Sequence, residues 1–307
     1  MSTTPYPHCS RFTVASAQYP VERHEDWSSY ERKLDRWVSE AAHHGARLLV
    51  FPEYGPMELA SLFGEEVCRS LPVQLDAMQG LLSRFLHLHQ LLAARYAVHI
   101  VAGSFPVAQD GGGYRNRSHL VRPDGQIDWQ EKLQMTRFEN EQWHIDAGDE
   151  IKVFDTELGT LGIAICYDVE FPLIARQQAE AGASVVLVPS CTDSVAGWNR
   201  VRLGARARAM ENQFYVVQSP TVGDAPWTEA IDVNVGAAGI YGPVDRGFPA
   251  DGVLAQGTLN EPQWVFAELD MVALEEVRAN GQVFNFREWD GQFRPTAPRG
   301  RDGSRDA

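Results

Sequence analysis

The stretch RLLVFPEYGPMEL, Arg47 to Leu59, decides the fold. Leu48 to Phe51 form a short unbroken apolar run, the pattern of a strand covered on both faces. Pro52 ends that run and the next residue is a carboxylate, Glu53. A charge at the tip of a buried strand costs free energy unless something pairs with it, so its presence asks for a reason. Upstream, RFTVASAQYP (11–20) reads as a strand, and HEDWSSYERKLDRWVSEAAHHGA (24–46) carries apolar residues at helical spacing up to Gly45. Downstream, a second helical region at about 73–96 precedes the strand AVHIVAGSFPV (97–107). Strand and helix alternate around Glu53, which predicts an α/β fold.

The next part breaks the alternation. In QDGGGYRNRSHLVRPDGQIDWQEK (109–132), glycines and an RPDGQ turn separate short β runs at hairpin spacing, so an antiparallel edge and a mixed sheet are expected. There follow the strand segment IKVFDTELGTLGIAICYD (151–168), the helix PLIARQQAEAGA, the strand SVVLVPS, the helix RVRLGARARAMENQ (200–213) and the strand FYVVQSPTVG. The last third, GAAGIYGPVDRGFPADGVLAQGT and WVFAELDM, reads as hairpins. With no repeat or long linker, the chain reads as one domain over 11–290, with a flexible segment at 1–10 and a disordered or extended tail at 291–307.

Composition narrows the function. Hydrophobic residues make up 44% of the 307, enough for a sizeable core. The formal net charge is -14 and the one basic segment, RVRLGARAR, is local, so a nucleic-acid partner is not expected. A secretory leader is not expected, no apolar run approaches membrane-spanning length, and the cytoplasm is the expected compartment, with no membrane partner. Cys9, Cys68, Cys166 and Cys191 are widely spaced without a C-x-x-C pair, which fits free thiols and gives no sign of a metal site.

Glu53, Cys166 and Cys191 all end strands, where loops converge over a rigid sheet, and Lys132 leaves another strand-like segment. A thiol is mostly protonated near neutral pH and needs a base or a cation nearby, roles open to Glu53 and Lys132. Attack on a carbonyl builds charge on oxygen, for which Lys132 and the backbone N–H of Tyr167 are candidate donors. Taken singly, each residue has a plainer reading. Cys166 alone would more often be an inert core thiol, Glu53 and Lys132 ordinary ion-pair partners, and Cys191 a wall. Asp168 reads as a turn organiser, Arg206 and Arg208 as structural salt-bridge residues, and Tyr54, Trp143 and Trp198 as lining aromatics.

Together, FPE at 51–53, EKLQMTRFE at 131–139 and ICYDVEFP at 165–172, followed by VPSCTD and ARARAMENQFYVVQS, resemble the Glu-Lys-Cys signature of the nitrilase superfamily of carbon-nitrogen hydrolases, over about Phe12 to Met271. The resemblance implies a four-layer α-β-β-α sandwich, usually paired as a homodimer or higher oligomer. Glu53 would be general base, Lys132 a transition-state stabiliser and Cys166 the nucleophile, with no cofactor. A second glutamate near the lysine is typical: Glu139 matches the spacing, and Glu141 is its rival. Tyr167, Glu141, Cys191, Tyr54 and Glu170 are the expected lining of the substrate site. The Tyr167 and Asp168 that follow the cysteine differ from the pattern of true nitrilases. Val169 and Glu170 stand where N-carbamoyl amino acid hydrolases and omega-amidases keep an arginine. The combination looks most like an uncharacterised branch sometimes fused to an acetyltransferase domain. A small amide that releases ammonia is thus the expected substrate; nitrile hydrolysis, N-acyl transfer on the same residues, or a non-catalytic scaffold are the alternatives.

Overall fold

The computed structural model describes residues 9–293. Of the expected flexible start at 1–10 and tail at 291–307, residues 1–8 and 294–307 lie outside the described residues, while 291–293 close a 3-10 turn, Trp289–Phe293.

In chain order, β1 (Arg11–Pro20), α1 (Trp27–His43) and β2 (Ala46–Phe51) form the first unit. A 3-10 segment, Gly55–Phe63, then leads to α2 (Glu65–Cys68), α3 (Leu71–Gln79) and α4 (Leu82–Tyr96). Next come β3 (His99–Ala108), β4 (Tyr114–Val121), β5 (Ile127–Glu131), β6 (Ile145–Asp146), β7 (Val153–Thr156), β8 (Gly159–Ile163) and α5 (Pro172–Glu180). The chain continues through β9 (Val185–Ser190), α6 (Val195–Asn212), β10 (Tyr215–Asp224), β11 (Val233–Asn234), β12 (Gly239–Tyr241), β13 (Val253–Gln256), β14 (Gln263–Asp270) and α7 (Met271–Asn280).

The strands build two sheets. One runs β14-β1-β2-β3-β4-β5 and the other β13-β12-β10-β9-β8-β7, joined by a short parallel pairing of Tyr19 and Pro20 with Thr221 and Val222. Val14, Leu48, Val50 and Val101 of the first sheet belong to one buried cluster with Ile163, Val186, Val188 and Val216 of the second. Residues of opposite parity, such as Ala15, Leu49 and Ile100, pack with Leu34, Val38, Phe85 and Leu92 of α1 and α4. On the far side Ala175 and Ala179 of α5 and Val201, Ala205 and Ala209 of α6 cover the second sheet. The result is the expected helix-sheet-sheet-helix layering, with central parallel strands buried throughout, as in β9.

Local chemistry explains most boundaries. Asp26 caps α1 by accepting the Ser29 N–H at 2.8 Å, and the helix stops at Gly45, whose φ of 81° only glycine adopts without strain. The expected single helix over 73–96 is two helices broken around Gly80, because Pro72 starts the first early and glycine ends it. The strand WVFAELDM is not part of a hairpin: β14 lies antiparallel to β1, with Phe12 opposite Leu269. Asp270 then caps α7 by accepting the Ala273 N–H at 2.9 Å, a helix the hairpin reading left out. Among the described residues no helix is long and apolar enough to cross a membrane.

Candidate active site

Four strands, two from each sheet, place one polar side chain each just past their C-terminal ends. Glu53 lies two residues past β2, Lys132 one past β5, Cys166 three past β8 and Cys191 one past β9. The approach of β3 to Pro52 fixes the first of these. Gly103 has φ 74°, and a Cβ there would sit 2.2 Å from the Pro52 carbonyl oxygen, so no other residue lets the two chains come this close. On the second sheet, Gly204 of α6 fits against the backbone of Val169, where a Cβ would meet the carbonyl oxygen at 3.0 Å; α6 thereby seats the turn Cys166–Glu170.

Three charged groups meet inside. Lys132 Nζ donates to Glu53 Oε1 at 2.8 Å and to Glu139 Oε2 at 2.6 Å, and the three residues are 1%, 1% and 3% exposed for Lys132, Glu53 and Glu139. Asn116 Nδ2 bridges the carboxylates, 2.9 Å from Glu53 Oε1 and 3.4 Å from Glu139 Oε1. The Cys191 backbone N–H donates to Glu53 Oε2 at 3.0 Å. Glu139 also accepts the Tyr54 hydroxyl at 2.9 Å and both the N–H and hydroxyl of Thr136, at 3.0 and 2.8 Å.

Two buried carboxylates share one ammonium, and their surroundings push them apart. Burial raises Glu53, reinforced by Glu139 and only partly offset by Lys132. For Glu139 burial acts in the same upward direction, but Lys132 and the Thr136 donors overcome it and hold the carboxyl below its ordinary value. Lys132 stays high: burial alone would lower it, and Glu139 and Glu53 more than compensate. Of the two acids, Glu53 is therefore the more readily protonated and Glu139 the one held ionised.

Cys166 completes the group. Its φ of 48° lies in the left-handed region, costing a non-glycine residue roughly 1 kcal/mol, and it turns the chain sharply from the strand direction. Its thiol faces the Cys191 carbonyl oxygen at 3.7 Å. Burial, then the Glu53 charge, pushes it well above an ordinary thiol despite Lys132, so the resting group is S–H.

Asp168 ties this turn to the lysine segment. Its carboxylate accepts the N–H of Leu133, Gln134 and Ile165, at 3.1, 2.8 and 3.1 Å, and burial pushes it up to about 7 against those donors and Lys132. The sequence reading of a turn organiser matches this geometry, and both oxygens are occupied. Asp168→Asn would place an amide N–H against backbone N–H groups. The expected result is a loss of about 2 kcal/mol of stability, read from urea unfolding, together with slower turnover.

A cavity of about 490 Å³ opens over these groups. Glu53, Tyr54, Lys132, Glu139, Cys166, Tyr167, Glu170 and Cys191, all expected at the site, line it. Glu141 departs from its expected place: it is 56% exposed, accepts from Arg137 Nε at 2.7 Å and does not line the cavity. Trp143 lines the cavity and packs on Tyr54 at 4.5 Å, whereas Trp198 is outside it and donates to the Ala237 carbonyl. Arg206 and Arg208 serve structure, bonding the Asp251 carbonyl and Glu211. Sequence reasoning missed Asn116, one polar residue among many on a hairpin strand. It also missed Arg200, 3.6 Å from Glu170 and in the lining.

Comparison with known proteins agrees with this picture. The profile of the family described as Carbon-nitrogen hydrolase matches residues 13–279. The chain is 37% identical over 275 residues to "Probable hydrolase YhcX" of Bacillus subtilis, covering 90% of this chain and 53% of that protein, about half its length. It is 26% identical over 258 residues to "Omega-amidase NIT2-B" of Xenopus laevis, covering 80% of this chain and 84% of the relative. A solved mutant of the amidase from Nesterenkonia sp. AN1, described as showing covalent addition of the acetamide moiety of fluoroacetamide at the active site cysteine, superposes with a TM-score of 0.63 at 23% identity, covering 91% of this chain and 97% of that one.

Proposed function

Since the chain belongs to the carbon-nitrogen hydrolase family, we propose that it hydrolyses a small primary amide through a thioester on Cys166. The observation that carries this reading is the shared ammonium: Lys132 holds two carboxylates whose proton affinities diverge, beside a buried thiol in an open cavity.

In the first half-reaction Cys166 Sγ bonds to the amide carbon while its proton passes to Glu53. The oxygen gains negative charge near the Lys132 ammonium and the Tyr167 backbone N–H. The C–N bond then breaks, Glu53 gives its proton to the departing nitrogen, and ammonia leaves. Water attacks the thioester, Glu53 takes the water proton, and return of that proton to Sγ frees the carboxylic acid. Glu139 keeps Lys132 charged and aimed; Tyr54, Thr136 and Asn116 hold the carboxylates in register.

An amide panel with ammonia readout, together with the intact mass of the trapped acyl-enzyme, tests the reading. Absence of both ammonia and adduct across the panel would reject it. Competing amines added to the same reaction separate hydrolysis from acyl transfer, since transfer yields new amides in place of acid.

The pH profile follows from the two shifts. The reactive form needs Glu53 ionised and the thiol still protonated. Because burial raises Glu53, the acid limb of kcat/KM is expected above the usual carboxylate value of about 4.3. Because burial and Glu53 raise Cys166, no limb from the resting thiol is expected until above about 8.5. A thiol whose alkylation by iodoacetamide titrates near pH 6 would contradict this assignment.

A further inference from the structure

One wall of the cavity is apolar and continuous with the core. Tyr54, Trp143, Ala230 and Ile231 belong to a single buried cluster, and all four line the cavity. The Tyr54 and Trp143 rings pack at 4.5 Å, and Phe138 meets the Trp143 ring edge-on at 5.8 Å, so the aromatic wall runs outward to Phe138. The Tyr54 hydroxyl is committed to Glu139 at 2.9 Å, and what it has left for a ligand is its ring. The lining ends in Phe138 and in Val233, two residues beyond Ile231; they are 40% and 39% exposed. One exposed apolar side chain needs no explanation, but two that extend a buried apolar wall to the opening of a cavity do.

The charged groups of the lining are engaged or open to water. Arg137 donates to Glu141 at 2.7 Å, and Arg200 stands 3.6 Å from Glu170. Lys132 is shared by two carboxylates. Asp193 and Asp232 are exposed, and Asp232 Oδ1 accepts the Val233 N–H at 2.9 Å. A pairing with a carboxylate in water contributes little, and an anionic end finds both guanidinium groups taken. The cavity, at about 490 Å³, falls within the ~300–1,000 Å³ of small-molecule sites and exceeds what the reacting amide group alone fills. The acyl group attached at Cys166 therefore extends along the apolar wall.

We infer that this wall selects an apolar acyl chain, so that the substrate is the amide of an uncharged alkyl or arylalkyl acid several carbons long. The part of the chain next to the scissile carbonyl lies on the Tyr54 ring, and its far end covers Phe138 and Val233. Each methylene that leaves water there strengthens binding by about fourfold. An ionised far end forfeits that gain, because it must either lose water against the wall or hold the chain away from it. The identity of the scissile group rests on the amide-hydrolase reading above, whereas the preference for an apolar chain is a matter of binding.

The experiment measures binding and turnover separately with hexanamide, butyramide, epsilon-aminohexanamide and adipamate. Titration calorimetry on the Cys166→Ala protein is expected to show hexanamide binding tightest, about tenfold over butyramide and over either charged compound. The gap between the two uncharged amides should not depend on salt, and hexanamide should bind with a negative heat-capacity change. Phe138→Ala with Val233→Ser in the same background is expected to shrink the hexanamide advantage over butyramide to within about threefold, and Phe138→Leu alone to keep most of it. The ratio of two uncharged amides cancels any disturbance of Glu139 next to Phe138. Equal affinities for hexanamide and butyramide, tightest binding of a charged compound, or an advantage unchanged in the double variant would overturn the inference. If hexanamide binds tightest while the intact enzyme releases ammonia from none of the four, the apolar site stands and the hydrolase reading falls. Ammonia released from all four with equal kcat/KM keeps that reading and removes the inference.

Discussion

Replacing Cys166 with alanine is expected to lower amide turnover by about 10⁴-fold or more while the protein still folds. The covalent route needs an electron pair on sulfur, and Cys191, the other thiol lining the cavity, is raised by burial and the Glu53 charge just as Cys166 is but points elsewhere. Cys191 Sγ instead faces Asn234 Oδ1 at 3.5 Å. Stability should change little, because the lost sulfur borders an open cavity and its contact with the Cys191 carbonyl oxygen, at 3.7 Å, is long. Loss of a single sulfur atom at a cavity wall costs about 1 kcal/mol or less, against the several that an enclosed void would cost. Ammonia release checks the first expectation, and thermal unfolding followed by circular dichroism the second. Iodoacetamide labelling with intact-mass readout gives an independent test, since the variant should lose the adduct that forms first on the parent enzyme. A variant that folds and keeps more than about a hundredth of the activity would remove the thioester from the mechanism, because uncatalysed residual activity at such sites lies far lower.

Much of this site was legible because its parts obey local rules. An apolar run that stops on Pro52 and Glu53, and another that stops just before Cys166, are visible without coordinates, and so is the alternation that makes an α/β sheet. The helix-sheet-sheet-helix layering came from the resemblance those motifs carry. What stayed hidden depends on contacts far apart in sequence. β14 pairs with β1 across the whole domain, and no turn signal announces a partner so distant. Asn116 looks like any polar residue of a hairpin strand until β4 brings its amide between Glu53 and Glu139.

The choice between Glu139 and Glu141 is a matter of rotation. A single π-helical turn, Glu139–Trp143, puts Glu139 and Trp143 inside and leaves Glu141 facing solvent with Arg137. Two residues of spacing cannot decide which of two glutamates points inward when the turn departs from the ordinary helical period. The break at Gly80 has a similar cause: apolar residues continue at helical spacing on both sides of it, so periodicity alone joins what the backbone separates.

Lys132→Met is expected to damage both stability and rate, and the dependence on pH is what distinguishes its cause. Methionine fills most of the lysine's volume, so packing is largely kept. What it removes is the one cation between Glu53 and Glu139, with bonds of 2.8 and 2.6 Å. Stripping one partner from a buried ion pair costs about 3–5 kcal/mol. In the parent enzyme the depressed Glu139 contributes stability that is present above the unfolded-state value and is lost as pH falls through the folded one. In the variant both carboxyls are raised by burial and mutual repulsion, so the folded state binds more protons than the unfolded chain. Its stability must then fall as pH rises above about 4.3, the unfolded value. The stability gap between parent and variant should therefore be smaller at pH 5 than at pH 8, measured by urea unfolding at matched ionic strength. Turnover at pH 8 should fall by about 10³-fold, the effect of removing a buried donor to a developing oxyanion. A gap that stays constant or narrows as pH rises would mean that the two carboxylates do not depend on Lys132 for their charge, and the division of roles between Glu53 and Glu139 would have to be abandoned.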